Sequence, residues 1–346
     1  MNSQGYRGDR PASDYVSALR DPIVPLGYGN WFRRVFEVFR NNFTRLAPLA
    51  LAPTALGGLY LIVLNMVRLT PAEVHQRLVS AAAASPTGQL SQGATLWIVL
   101  KPVLPISVIF LVLLVGAAAS YQACAYYLIL RIANGQPAGL SDALRVALPR
   151  VPRLVGWGLL AWLLISCCIA FPLMPGVLTN NNLLIFSGVA IAVILAAYLS
   201  VSIAPSLVGV VVIERAGLGR CLRLVRRRFW ATFGRLVPAM LIYAAYNLVL
   251  NLILNLVAQP FGGMAELTMG GTVLVATVRT VLTIPPMVYF PAVTLVSYAE
   301  LRFQENSTAS TRTLAAEMTR RPGSVLAERG QRQGEPDGDH MGTSDG

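Results

Sequence analysis

The chain lacks charged residues over most of its length. Only 13% of its 346 residues are Asp, Glu, Lys or Arg, about half the share that a soluble domain usually carries. A helix needs about 20 mostly apolar residues to cross the hydrocarbon core of a bilayer, and such lengths are rarely free of charge in a soluble core. Several uncharged intervals are therefore predicted to enter the membrane: Leu46–Val67, Pro102–Leu130, Leu154–Ile213, Leu236–Ala265 and Thr280–Ala299.

Residues of catalysis and metal binding are also scarce. The two histidines, His75 and His340, and the four cysteines show no metal-ligand spacing and no secreted disulfide framework. The sequence has no GxSxG, Walker or HExxH motif, and no pair of carboxylates lies inside an uncharged interval. We therefore expect a protein that is not an enzyme and has no cofactor, no catalytic residue and no metal site.

Basic residues are abundant but unevenly placed. The net charge is +12, and arginine supplies all but one of the 28 basic residues. Most of these arginines flank the uncharged intervals, which is typical of insertion bias and of contact with anionic headgroups. This placement argues against nucleic acid as a partner and for membrane lipids.

The uncharged intervals predict six spans. The interval from Leu154 must hold two of them, with a turn near 171–182, where two prolines and three asparagines occur. If both termini are cytoplasmic, 24 basic residues lie inside and four outside, which is a strong positive-inside signal. We expect a bacterial inner-membrane protein with spans at about 46–67, 102–130, 154–174, 183–213, 236–258 and 272–299.

The arginine-rich segments resemble one another. Segments 25–46, 137–154 and 215–236 align on Gly27, Gly139 and Gly217, each with an arginine six positions later and an Arg-Leu pair at its end. The alignment predicts repeat units at about 25–130, 137–213 and 215–302. The predicted fold is all-α: six transmembrane helices as three hairpins, each preceded by a cytoplasmic amphipathic interfacial helix. In the sequence, the membrane domain, 25–303, is expected to be preceded and followed by disordered cytoplasmic tails, 1–24 and 304–346.

The first of these segments is amphipathic. Phe32, Phe36 and Phe39 recur at helical spacing, with arginines on the other side. Such a helix either lies in the lipid interface or packs against the protein's own spans, and both interpretations stay open. The candidate lipid-headgroup contacts are Arg33, Arg34, Arg40, Arg226, Arg227, Arg228, Trp31 and Trp230.

Polar residues also occur inside two predicted spans. Span five carries a stripe at every fourth position, Tyr243, Asn247, Asn251 and Asn255, which serves either helix–helix adhesion or a polar path. Arg279 in span six is expected to hydrogen-bond this stripe or to snorkel outward. Pro285, Pro286 and Pro291 predict a kink or break in span six.

The segments PLGYGNWFRRVFEVFRNNF, ERAGLGRCLRLVRRRFWATFGRL and PAVTLVSYAELRF resemble the actinobacterial membrane domain of glycerophosphoryl diester phosphodiesterases, which is related to YciC-like membrane proteins. The resemblance covers about 25–303. It implies the membrane fold and an envelope setting, but not hydrolase activity, which in that family belongs to a separate soluble domain.

Two functions follow from these patterns. The first is a lipid-interacting scaffold or accessory subunit in envelope or lipid metabolism. The alternative is a transporter or permease for a small or lipid-like substrate, with the polar stripe and the proline-rich span forming its path. Anionic lipids are the expected partners, together with a membrane-protein partner or a second copy of the chain.

Overall fold

The computed structural model describes residues 21–25, 27–67, 71–83, 97–98, 101–179, 181–263, 267–306 and 308–319. Every regular element among these residues is helical, which confirms the all-α prediction. The helices are α1 (Tyr28–Val67), α2 (Pro71–Ala83), α3 (Leu104–Ala133), α4 (Leu140–Ala147), α5 (Val151–Thr179), α6 (Asn182–Ile203), α7 (Leu218–Arg226), α8 (Phe229–Ala258), α9 (Met269–Glu305) and α10 (Thr311–Thr319).

Six helical segments are long and apolar enough to cross a membrane. They are α1, α3, α4 with α5, α6, α8 and α9, so the prediction of a multi-pass membrane protein with six spans is confirmed. The α5–α6 turn is shorter than predicted, because α5 continues through Pro172 and Pro175. The Asn181 side chain caps α6 by accepting the backbone N–H of Leu183 at 3.0 Å.

Span four was predicted too long. It was expected to reach residue 213, but α6 ends at Ile203, next to Pro205, and a turn follows. After that turn the chain forms the short helical turn Leu207–Gly209 and the π-helical turn Val210–Glu214. Val210 is fully buried, so the apolar residues of this connection face protein rather than lipid. Apolar side chains are favoured both in a protein core and in lipid. The uncharged interval therefore extends past the end of the span, into residues that are buried in protein.

The first and last spans pack along each other. Contacts between α1 and α9 run along much of both helices, and near one end Asn65 Nδ2 donates to Thr272 Oγ1 at 2.7 Å. Helices α5 and α6 form a second close pair, where an added Cβ on Gly188 would lie 2.3 Å from the carbonyl oxygen of Pro172. Contacts of α1 with α3 and of α8 with α9 complete the bundle.

One end of the bundle holds most of the core. We call it the arginine-rich end; it comprises the starts of α1, α5 and α8, the ends of α3, α6 and α9, and the short helices α4, α7 and α10. Its largest fully buried side chains include Trp31, Tyr126 and Tyr298. The protein therefore packs most tightly where its arginines are concentrated.

The predicted interfacial helix of the first unit is not a separate element. Residues 28–46 are the first half of α1, a helix of 40 residues that is about 60 Å long at 1.5 Å per residue. This length is about twice the hydrocarbon thickness, so half of α1 extends beyond the predicted span without a break.

The three aligned glycines occupy equivalent places. Gly27, Gly139 and Gly217 each directly precede a helix, namely α1, α4 and α7, and the arginines six positions later are exposed. The residues four and eight positions after each glycine are at most 1% exposed: Trp31, Val35, Ala143, Ala147, Cys221 and Val225. One row of each segment therefore packs against the protein's own core. Phe36, on the predicted apolar face of the first segment, is 49% exposed, and its contact with lipid stays a prediction.

Both predicted disordered tails contain ordered residues. Asp21 Oδ2 accepts the backbone N–H of Thr311 at 2.8 Å, and α10 buries Leu314 and Met318 in the core. The prediction of disorder is wrong for these segments, because a nine-residue helix that buries few side chains has little apolar periodicity to detect. The remaining tail residues, 1–20 and 320–346, lie outside the described part of the chain.

The predicted helix break in span six is also absent. Helix α9 runs continuously through Pro285, Pro286 and Pro291. A proline at position i leaves the carbonyl at i−4 without its N–H donor, so Pro286 frees the carbonyl of Leu282 and Pro291 that of Met287. Tyrosine hydroxyls from α8 and α3 donate to these two carbonyls, and neighbouring helices thus stabilise a helix that the sequence alone suggests should break.

Candidate functional site

Six side chains form an ionic cluster at the arginine-rich end. It consists of Glu214, Arg220, Tyr298, Arg302, Glu305 and Glu317. Arg220 lies at its centre: its Nε is 2.7 Å from Glu214 Oε2, and its Nη1 donates to Glu305 Oε1 at 2.6 Å. One guanidinium of α7 therefore joins the α6–α7 connection to the end of α9.

A second arginine extends the cluster to α10. Arg302 Nη2 lies 3.0 and 3.1 Å from the two carboxylate oxygens of Glu317, and its Nε is 3.5 Å from Glu214. Tyr298, on the same face of α9, donates its hydroxyl to Glu214 Oε1 at 2.8 Å. The cluster thus connects the α6–α7 connection and α7 with the end of α9 and with α10, which lie more than 80 residues later in the sequence.

The backbone of the α6–α7 connection places Glu214 in this cluster. Glu214 ends the π-helical turn, and Arg215 follows in the left-handed conformation with φ 57°, which reverses the chain toward α7. Gly209 lies against the Tyr298 ring, where an added Cβ would be 2.3 Å from Cγ. Only glycine allows the connection to approach α9 this closely.

A buried ion pair lies beside the cluster. Arg235 Nη2 is 2.7 Å from Glu300 Oε1, and their side chains are 13% and 5% exposed. Gln304 Nε2 donates to the same carboxylate at 3.0 Å. A cavity of about 10 Å³, room for a single water, adjoins the pair and is lined by Trp31, Thr232, Arg235, Ser297, Glu300 and Leu301.

The protonation states of Arg220 and Cys221 in α7 are those of structural residues rather than of catalytic ones. The hydrogen bond to Glu305 is the largest of the effects that raise the pKa of Arg220 above its usual value, so this guanidinium stays charged. Burial raises the pKa of the neighbouring Cys221 thiol, which therefore stays protonated at neutral pH and is a poor nucleophile.

Most of the predicted lipid contacts are exposed. Arg33, Arg40 and the run Arg226–Arg228 are exposed, and Trp230 is 79% exposed. Arg34 is less accessible, with Nη1 2.9 Å from Glu37 Oε2. Trp31 was assigned wrongly: it is fully buried, because it lies on the face of α1 that packs into the core.

The polar stripe of span five lies on the outside of the bundle. Tyr243 is 42% exposed, Asn251 and Asn255 are exposed, and Asn247 is half-buried. Helix α8 packs on α9 through another row, Tyr246, Leu250, Leu254 and Ala258. The stripe therefore lines no internal path between the described helices of one chain.

Arg279 does not join the stripe. It is exposed on α9, and no side-chain hydrogen bond connects it to an asparagine of α8 within the described residues. Arg279 therefore does not hydrogen-bond the asparagine stripe within the described part of one chain. That its side chain extends outward to the membrane interface remains a prediction.

A basic groove of about 310 Å³ opens at the arginine-rich end, between the end of α3 and α10. Its side chains include Arg131 and Arg312 and no carboxylate. Arg131 is already engaged, since its Nη1 donates to Gln136 Oε1 at 2.6 Å. The groove adds to the positive character of this end of the molecule.

Sequence reasoning missed the carboxylates that organise this end. Glu214 and Glu300 each follow a long apolar run directly, and such a residue at a span boundary is expected to need an arginine partner. The sequence thus predicts that each glutamate pairs with an arginine. Which of the 27 arginines is the partner depends on the tertiary fold.

Among the described residues, no three His, Cys, Asp or Glu side chains lie close enough together to hold a metal ion. Comparison of the chain with protein-family models, curated proteins and solved structures finds no match.

Proposed function

We propose that this multi-pass membrane protein binds anionic lipid headgroups through its arginine-rich end. It acts as a non-enzymatic scaffold or accessory subunit in envelope or lipid metabolism of a bacterial inner membrane. In this proposal both termini are cytoplasmic. Each of three units supplies one arginine-bearing helical segment at the inner interface and two spans.

The observation that carries the proposal is the arginine ledge, which we define as Arg226, Arg227, Arg228 and Trp230. All four side chains are exposed. The nearby carboxylates Glu214, Glu300 and Glu305 are already paired with other arginines. Within the described residues no carboxylate forms an ion pair with Arg226 or Arg227, and phosphate groups of lipids are suitable counterions for both.

The ledge lies at the right height for headgroups. It joins α7 to α8, and the uncharged part of α8 begins at Leu236, six residues and about 9 Å beyond Trp230. Arginine guanidiniums at headgroup level and a tryptophan ring at the acyl boundary are typical of interfacial anchoring. The resemblance of the sequence to an envelope membrane domain supports the same setting.

The test compares anionic-lipid binding by the natural chain and by the double variant Arg226→Gln, Arg227→Gln. Each basic residue near an anionic surface contributes about 1 kcal/mol, so the double variant should bind phosphatidylglycerol about 30-fold more weakly. Native mass spectrometry of the detergent-extracted protein, titrated with phosphatidylglycerol and with phosphatidylcholine, measures this difference.

A matched control changes the same charge at the other end of the bundle. Arg77 and Lys101 are exposed there, and the double variant Arg77→Gln, Lys101→Gln should keep the affinity of the natural chain. Equal losses in both double variants would mean that net charge, rather than the ledge, governs lipid binding, and the proposal would be rejected.

A further inference from the structure

The outer surface of α8 carries amides where lipid tails are expected. Asn251 and Asn255 are exposed, and Asn247 Nδ2 donates to the carbonyl of Tyr243 in its own helix, at 2.8 Å. An amide that faces hydrocarbon without a partner is costly. Exposed asparagines on a membrane-spanning helix therefore indicate a surface that another helix covers.

Two parallel rows make up this surface. The asparagine row lies one residue, or about 100°, around the helix from the row that packs on α9. Beside it, Leu248, Leu252 and Leu256 form an apolar row that is 73%, 62% and 57% exposed. A polar row with an adjacent row of large apolar side chains at spacing four is suited to packing of ridges into grooves.

We propose that this surface binds α8 of a second copy of the same chain. Two copies inserted with the same topology place every asparagine at the depth of its counterpart. Each amide has both donors and an acceptor, so Asn251 of one copy pairs with Asn251 of the other. No charged residue occurs in α8 beyond Arg235, so there is no charge repulsion between the α8 surfaces of two copies.

The spacing also sets the geometry of the pair. Rows at every fourth residue interdigitate when two helices cross with a right-handed angle of about −40 to −50°. The contact follows a two-fold axis normal to the membrane. This inference is independent of lipid binding at the arginine ledge.

The experiment measures self-association of the full chain in liposomes by energy transfer between donor- and acceptor-labelled copies, over a range of protein-to-lipid ratios. The natural chain should dimerise. The triple variant Asn247→Leu, Asn251→Leu, Asn255→Leu keeps side-chain volume but removes the amides, and each lost asparagine pair should weaken the dimer roughly 3- to 18-fold.

Thr277 offers the matched control. It is an exposed polar residue on α9 whose hydroxyl donates to Val273 of its own helix, and Thr277→Val should leave dimerisation unchanged. Equal dimerisation of the natural chain and the triple variant would overturn the proposal. So would a monomeric natural chain, including one that instead retains another membrane protein through the same asparagines.

Cross-linking tests the register. With Cys167 and Cys168 replaced by serine, Asn251→Cys should form a disulfide between copies on mild oxidation, because the two positions face each other. Val249→Cys, 55% exposed on the opposite flank of α8, should not. Efficient cross-linking at 249 but not at 251 would contradict the proposed interface.

Discussion

At three positions a tyrosine hydroxyl of one helix donates to the carbonyl that a proline of another helix leaves without its N–H donor. Tyr28 donates to Gly234, Tyr121 to Met287 and Tyr246 to Leu282, at 2.9, 3.1 and 2.5 Å. The corresponding prolines, four residues further on, are Pro238, Pro291 and Pro286. The carbonyls of Met287 and Leu282 lie within span six, where no water can replace the lost donor. Each of the three tyrosines joins two helices and pairs a carbonyl that an intrahelical proline leaves free.

Removal of one hydroxyl should reveal this coupling. Tyr246→Phe leaves the Leu282 carbonyl unpaired and should lower the free energy of unfolding by about 1 kcal/mol. In the background Pro286→Ala, where the introduced alanine supplies the missing N–H, the same substitution should cost clearly less. Denaturant unfolding in mixed micelles measures both values. An equal cost in the two backgrounds would show that the hydroxyl acts independently of the proline.

At the scale of elements, the α6–α7 connection determines how the arginine-rich end is built. Its buried turn carries Gly209 against Tyr298 and delivers Glu214 to the ionic cluster. The connection contains a π-helical turn and a left-handed residue, and its apolar residues Val210, Val211, Val212 and Ile213 are buried in the protein. Its packing against α9 is therefore a requirement of the fold.

The close approach at Gly209 predicts a strong effect of a single methyl group. Gly209→Ala places a Cβ within van der Waals overlap of a buried ring and should destabilise the protein by about 3 kcal/mol. Gly219→Ala, on an exposed face of α7 with no atom within 4 Å of the added Cβ, should be neutral or stabilising by up to about 1 kcal/mol. Thermal unfolding in detergent compares them; similar shifts in Tm would refute the role assigned to Gly209.

The features that could be predicted are those that depend on residues close together in the sequence. The six spans follow from the absence of charge over lengths that the bilayer itself requires, and the glycine-aligned segments from their spacing. What could not be predicted depends on distant partners: Glu214 pairs with residues of α7 and α9. Likewise, the continuity of α9 depends on tyrosines of two other helices, which no pattern within span six reveals.

At the scale of the whole molecule, the ionic cluster lies entirely at the arginine-rich end. Glu214, Glu305 and Glu317 neutralise part of the arginine charge there, while the ledge stays exposed. Internal ion pairing thus separates arginines that stabilise the fold from arginines available to a membrane surface. The positive-inside pattern alone does not distinguish the two groups.

The orientation of the molecule can be tested by accessibility. Thr308 and Ser80 are exposed at opposite ends of the bundle. In a chain with Cys167 replaced by serine, Ser80→Cys should react with a membrane-impermeant maleimide in intact cells, and Thr308→Cys only after permeabilisation. The reverse pattern would place the arginine-rich end outside and contradict the positive-inside assignment.

The packing of α1 on α9 has a consequence for biosynthesis. The ribosome releases α1 well before α9, so the surface around Asn65 meets Thr272 only after the four spans between these helices have been translated. During that interval the Asn65 amide resides in lipid, or beside an insertion factor, without its eventual acceptor. We expect this stage to be the slow one in maturation, because a contact between residues 207 positions apart forms slowly.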